Sequence, residues 1–256
     1  MGQDFLPTRS GEPPPDALPQ AIPGLWRGRD LARERPGIAT GFASLDRELP
    51  GAGWPAGALT ELLHAHAGVG EMRLLLPALS LLARTGAPLF LLEPPWVPYA
   101  PAFAAAGIPP ARLIVVRPRR PADGLWACEQ ILKGLSGGAL IAWPRHLRAQ
   151  DARRLQLAVE GKPVLAVLMR PLAATSEVTP AALRLALEAT LPPGLPQPVL
   201  AVRILKRRGG VLARPIVLAP PSPLFTRSPA TVNLPAHAVD RRSPAPAEPG
   251  LHTAGA

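Results

Sequence analysis

Between Ala58 and Met169, short continuous apolar runs alternate with longer stretches in which apolar positions recur every three or four residues. The short runs, near Thr60–Leu63, Leu89–Leu92, Leu113–Val116, Ala139–Trp143 and Val164–Met169, predict strands, and their alternation with helices marks a sheet covered on both faces. The longer stretches, near Glu71–Arg84, Tyr99–Ala106, Gly124–Leu135 and Ala149–Val159, predict helices lying between those strands. Such alternation is the signature of a parallel sheet linked by right-handed crossovers. Gly86 and Gly107 stand where helices should stop, as glycines at helix carboxyl ends do. After Pro180 the period changes to two. Leu183, Leu185 and Leu187 alternate with Arg184 and Glu188, and Leu200, Val202 and Ile204 alternate with Arg203. This predicts an antiparallel edge added to the parallel sheet, with Ile216–Leu218 as a last short strand. The expected fold class is α/β: a mostly parallel sheet, helices on both faces, and an antiparallel edge near the end of the domain.

Composition adds the flanks. The chain of 256 residues is 47% hydrophobic, enough for one substantial core, and its 36 prolines cluster at both ends and at element boundaries. Residues 1–35 read as a disordered or strap-like Pro-rich segment, with Ile22–Trp26 expected to dock on the domain. Residues 36–219 read as one folded domain, and 220–256 as a flexible Pro-rich tail. That tail carries small apolar clusters, Leu224 with Phe225 and Val232 with Leu234, of the kind that orders on a partner. Aromatic residues make up only 4% of the chain, so the core must be built from Leu, Ala, Val and Ile.

A single Cys128 excludes an intrachain disulfide, and no Cys/His cluster has metal-ligand spacing. His64 and His66 share a strand face and could hold a metal, but no third ligand is visible, so a core or surface role is favoured. The amino terminus lacks the pattern of a secretory signal, and the longest apolar run, Leu74–Ala83, is too short to span a bilayer. A cytoplasmic location with no membrane contact is expected.

The net charge is +10, and its placement matters more than its size. Five Arg and five acids precede Pro36, and three Arg and two acids follow Ala219, leaving 20 basic and 11 acidic residues between them. The expected domain therefore holds the positive field, although a general preference for Arg over Lys supplies a competing origin. Basic groups recur after predicted strands: Arg117, Arg119 and Arg120; Arg145 and Arg148, followed by Arg153 and Arg154 on the next helix; and Lys206, Arg207 and Arg208. Loops following parallel strands share one edge, so the first two groups predict one basic rim suited to weak, nonspecific DNA contact or to an acidic partner. Each could instead be a solvated loop charge.

The most informative stretch is Ala58–Arg84, a strand, a tight turn and a helix, which is the order of a phosphate loop. A working loop needs G-x-x-x-x-G-K-[ST]: glycines let backbone N–H groups close around phosphates, the Lys reaches their oxygens, and the hydroxyl holds Mg²⁺. Here Gly70 keeps the last glycine and Gly68 adds a second. However, Ala65 stands at the first glycine, Glu71 at the Lys and Met72 at the hydroxyl. A carboxylate repels a triphosphate, and a thioether does not coordinate a hard cation. The strand Gly138–Ala142 ends in Trp143-Pro144, where a nucleotide hydrolase would place its metal-holding acid. Glu93, after Leu92, could pair with Glu71 for acid/base or metal chemistry, although a site that has lost its catalytic parts is the favoured reading.

Upstream, Gly37-Ile-Ala-Thr-Gly-Phe-Ala-Ser-Leu-Asp46 and Gly51-Ala-Gly-Trp-Pro-Ala-Gly-Ala-Leu-Thr-Glu61 resemble the segment that leads into the phosphate loop of RecA-like recombinases. Together with the degenerate loop, the Trp54–Gly57 turn and the late Val202–Gly210 segment, the stretch from Pro36 to Pro220 resembles the ImuA family, RecA-related accessory proteins of error-prone translesion DNA synthesis. The resemblance implies a RecA-like domain with no catalytic residues and no cofactor, acting as a scaffold in the SOS response to DNA damage. Its implied partners are the inactive polymerase-like protein ImuB, an error-prone replicative-type DNA polymerase and RecA itself. In RecA-like filaments a basic turn comparable to Lys206–Gly210 touches a neighbouring subunit's nucleotide, so here it implies a subunit or partner contact. Glu93 falls near the RecA-like catalytic glutamate. Two alternatives remain open: a SulA-like division inhibitor that binds a tubulin-like protein, and an ATPase with an atypical phosphate loop.

Overall fold

The computed structural model describes residues 36–120, 123–191, 198–208, 210 and 214–219. The segments 1–35 and 220–256, including Leu224, Phe225 and Leu234, lie outside the described residues. Eight strands form one sheet: β1 (Ala58–His64), β2 (Leu89–Leu92), β3 (Leu113–Val116), β4 (Gly138–Ala142), β5 (Val164–Pro171), β6 (Leu183–Thr190), β7 (Val199–Lys206) and β8 (Ile216–Leu218), in the order β3-β2-β4-β5-β1-β6-β7-β8. The helices are α1 (Ala43–Asp46), α2 (Glu71–Arg84), α3 (Ala100–Ala105), α4 (Asp123–Gly134) and α5 (Ala149–Val159). The alternating pattern of the sequence thus becomes an α/β sheet with helices on both faces.

Continuous apolarity places both faces of the central strands in core. On one face Leu62, Ile141, Val167 and Leu185 pack with Leu74, Leu75 and Leu79 of α2 and Phe103 of α3. On the other, Leu59, Leu140, Ala166 and Leu168 pack with Cys128 and Leu132 of α4 and with Leu155 and Val159 of α5. Each large side chain so buried contributes about 1.5–3 kcal/mol. Gly86 and Gly107 both take φ +82 and close the helices before them, as their positions predict.

The predicted antiparallel edge is present, with one change of direction. β7 pairs antiparallel with β6, and β8 antiparallel with β7, but β6 itself pairs parallel with β1. The chain leaves β5, passes over β1 through residues 172–182 and returns in the same direction, as a crossover requires. That connection also explains a departure from period two. Arg184 faces the connection rather than water, and is only 6% exposed. It donates from Nε to Glu61 at 2.8 Å and from its terminal nitrogens to the carbonyls of Ala174, Thr175 and Glu177. Glu61, fully buried in β1, also accepts from the Thr179 hydroxyl at 2.7 Å and lies 3.7 Å from Arg170.

The lead-in to β1 has its own local reason. The Asp46 carboxylate accepts the Thr40 N–H at 2.9 Å, and the Thr40 hydroxyl accepts the Phe42 N–H at 3.0 Å. Gly41 takes φ +84, and a Cβ there would come 2.4 Å from the Pro77 ring of α2. The Thr-Gly…Leu-Asp pattern is therefore a packing device that clamps the lead-in onto α2, with Leu45 and Trp54 fully buried behind it.

Removing one partner from a buried ion pair leaves an uncompensated charge and typically costs about 3–5 kcal/mol. Arg184→Ala should lower unfolding stability by about that much in urea titration. A loss under about 1 kcal/mol would show that water reaches Glu61 and that the cluster does not anchor the β5–β6 connection.

Candidate functional site

The loop between β1 and α2 bends back on itself at Gly68 and Gly70, with φ +95 and +113, values that side-chain-bearing residues rarely adopt. Their N–H groups point at one acceptor. Glu71, the first residue of α2 and only 4% exposed, receives the Gly68 N–H on Oε1 at 2.8 Å and the Gly70 N–H on Oε2 at 3.0 Å. These are the donors that a phosphate would use, at a helix amino terminus whose dipole favours an anion. The chain supplies that anion itself. Charge-assisted hydrogen bonds of this kind contribute about 1.5–3 kcal/mol each, so displacing the carboxylate carries a real cost.

Met72 packs against the α2-side core together with Val69, and Ala65 and His66 stay exposed. His64 is buried at the end of β1 with both ring nitrogens unpartnered. Burial lowers its pKa below the ordinary 6.5, an effect that the charge of Glu71 partly offsets. Among the described residues no group of three or more His, Cys, Asp and Glu side chains could hold a metal ion.

Trp143 follows β4 and is partly buried against the α2-side core, its backbone N–H donating to Leu92 O at 3.1 Å while its buried indole N–H has no partner. Glu93 follows β2 with a left-handed φ of +53, strained for a residue with a side chain. Its carboxylate packs against the start of α4, where a Cβ on Gly124 would come 2.6 Å from Oε2. Two strands, β4 and β5, separate β2 from β1, so the strand ends bearing Glu93 and Glu71 lie roughly 14 Å apart at about 4.8 Å per strand. Each carboxylate has its own partners, and the arrangement brings no acid/base pair together.

The predicted basic groups divide between two edges of the sheet. Arg117, Arg119 and Arg120 follow β3, and Arg145 and Arg148 follow β4, all exposed at the carboxyl edge. There Arg117 donates to Trp96 O at 2.9 Å, and Arg145 lies 4.0 Å from Glu93. Arg145, His146 and Arg148 line an open groove of about 600 Å³, floored by Arg170 and rimmed by Glu177. Arg153 is exposed on α5, whereas Arg154 pairs with Glu129 of α4. A hydrogen bond from Lys133 holds Glu129 below its ordinary pKa, with the charge of Arg154 assisting. Arg154 is therefore a strut between helices.

Because β7 runs antiparallel, Lys206, Arg207 and Arg208 emerge at the opposite, amino-terminal edge. Lys206 donates to Thr179 O at 2.8 Å, and Arg207 binds the carbonyl and carboxylate of Glu48. Arg208 is exposed beside them, and together they border a second cleft of about 630 Å³ formed with Gly57, Gln156 and Glu160.

Two features escaped the sequence. Glu61, Arg170 and Arg184 form the buried ionic cluster, and the only available signal was the charge of Glu61 and Arg170 inside otherwise apolar strands. The second is the exposure of Trp96, Tyr99 and Trp126 in a chain so poor in aromatic residues. No helix among the described residues is long and apolar enough to cross a membrane. No protein-family profile matches the chain, and a search of curated proteins gives no match.

The unpartnered His64 fixes a pH dependence. Its folded pKa lies below its unfolded value, so the unfolded chain binds more protons as pH falls through about 6.5, and stability declines from there toward the folded pKa. His64→Leu should flatten the stability profile between about pH 7 and pH 5. An unchanged slope would place the titration elsewhere.

Proposed function

We propose that this chain is a non-catalytic RecA-like accessory protein of the ImuA type, acting as a scaffold in SOS-induced error-prone translesion synthesis. It works by contact with the inactive polymerase-like protein ImuB, an error-prone replicative-type DNA polymerase and RecA, and by weak nonspecific contact with DNA. The observation that carries this reading is the Glu71 carboxylate seated on the Gly68 and Gly70 N–H groups, with Met72 half-buried against the core and Trp143 where a metal acid would stand. A loop that keeps its strand, glycines and helix but fills its own anion site has retained architecture and given up phosphate chemistry. The Thr40–Asp46 clamp and the central place of β1 between β5 and β6 support the RecA-like reading. Exposed Arg119, Arg120, Arg148 and Arg153 support polyanion contact.

Co-purification with ImuB tests the proposal. The full chain should retain ImuB, and a chain ending at Pro220 should stay folded, since β8 is complete at Leu218, yet bind ImuB more weakly. No retention by the full chain would overturn the scaffold reading. Equal retention by both would move the contact from Leu224, Phe225 and Leu234 to the domain.

A further inference from the structure

Large aromatic side chains are costly to leave in water, and this chain has few of them. Of Trp54, Trp96, Tyr99, Trp126 and Trp143, the described Trp and Tyr residues, three are strongly exposed: Trp96 at 71%, Tyr99 at 63% and Trp126 at 62%. Two of them, Trp96 and Tyr99, lie together at the carboxyl edge of β2, while Trp126 lies on α4 against the other face of the sheet. Trp96 and Tyr99 lie on the loop that follows β2. The Trp96 carbonyl is held by Arg117, the residue after β3, at 2.9 Å. Gly124 at the start of α4 packs against the Glu93 side chain of the β2 loop, and Trp126, two residues and about 200° of helical turn further on, faces away from that loop. Arg119 and Arg120 extend from the same β3–α4 connection.

Aromatic faces interleaved with guanidinium groups form the surface that single-stranded nucleic acid recognises: bases stack on the rings and phosphates pair with the cations. The acids nearby are Glu93, which faces Gly124 and Arg145, and the exposed Asp123, so the corner keeps a positive surplus. The surface also continues. Strand order places the carboxyl end of β4 next to that of β2, so the groove lined by Arg145, His146 and Arg148 extends the same edge.

A second copy of this chain would fit less well. The edge strand β3 is bracketed by Arg112 and Arg117, and an antiparallel copy would set these like charges opposite one another.

We propose that Trp96 and Tyr99, with Arg117, Arg119 and Arg120, form a stacking platform for single-stranded nucleic acid at the carboxyl edge of β2 and β3. This deepens the DNA contact of the accessory reading and rests on that reading for its biological setting. Stacking releases no counterions, so aromatic and arginine substitutions must have different signatures.

The test is fluorescence and anisotropy titration of the full chain with a thymidine oligonucleotide, as single strand and as duplex, across a salt series. Single strand should bind more tightly than duplex and quench Trp emission. Trp96→Ala and Tyr99→Ala should each weaken binding about tenfold with the salt slope unchanged. Trp96→Phe should restore most of the loss, and Arg119→Gln with Arg120→Gln should reduce the slope. Circular dichroism melts should match wild type, because the substituted side chains are exposed. Aromatic variants that bind as wild type, or a duplex bound as tightly as the single strand, would overturn the proposal. So would variants that abolish self-association while DNA affinity is unchanged, which would make the corner a protein interface. If the wild type binds no oligonucleotide yet still retains ImuB, the platform falls and the accessory reading stands.

Discussion

The carboxylate of Glu71 decides what the central turn of this molecule can do. Backbone N–H groups converging at a helix amino terminus must find an acceptor, and they favour an anion. In this chain the residue that opens α2 folds back and supplies both oxygens to Gly68 and Gly70. The strand before the turn and the helix after it are then set: β1 enters between β5 and β6, and α2 lies across the sheet with Leu74, Leu75 and Leu79 in the core. The Thr40–Asp46 clamp closes on the same helix through Gly41 and Pro77. The turn between β1 and α2 is thereby held together by an anion that the chain itself supplies.

The rest of the molecule divides its charge according to strand direction. Parallel strands bring Arg117–Arg120 and Arg145–Arg148 to one edge, where α/β sheets place their ligands at points of diverging connection. β2 connects outward to β3 and β4 inward to β5, so one such divergence lies between neighbouring strands at Glu93 and Trp143. The strained Glu93 backbone sits at that point, with its carboxylate against α4. Antiparallel β7 carries Lys206 and Arg207 away to the other edge, where both are tied to the fold through Thr179 and Glu48. One edge is thus open for contact, while the other is largely engaged internally.

The architecture was legible wherever one physical cause dominates. Continuous apolar runs gave the boundaries of β2 and β3, and helical periodicity gave those of α2 and α5, because burial on both sheet faces leaves little choice. The glycine turn at Gly68 and Gly70, with Glu71 opening the helix after it, was also readable residue by residue. Repulsion by Glu71 was expected from its charge, but its seat on the loop N–H groups depends on a backbone geometry that sequence does not display. The parallel direction of β6 and the burial of Arg184 were hidden for a related reason. Alternation tells which residues share a face, and not what later covers that face, here the β5–β6 connection. Arg154 likewise looked like a rim cation, and its partner Glu129 comes from a helix 25 residues away.

The most direct measurement follows the backbone amides of Gly68 and Gly70 by ¹⁵N NMR while Mg·ATP is added to the full chain. With the Glu71 carboxylate occupying both donors, the two resonances should stay unmoved at millimolar nucleotide. In Glu71→Ala they should shift saturably with inorganic pyrophosphate, because the anion site has been vacated. Saturable movement of both resonances by micromolar Mg·ATP in the wild type would contradict a self-filled loop, and with it the non-catalytic reading of this protein.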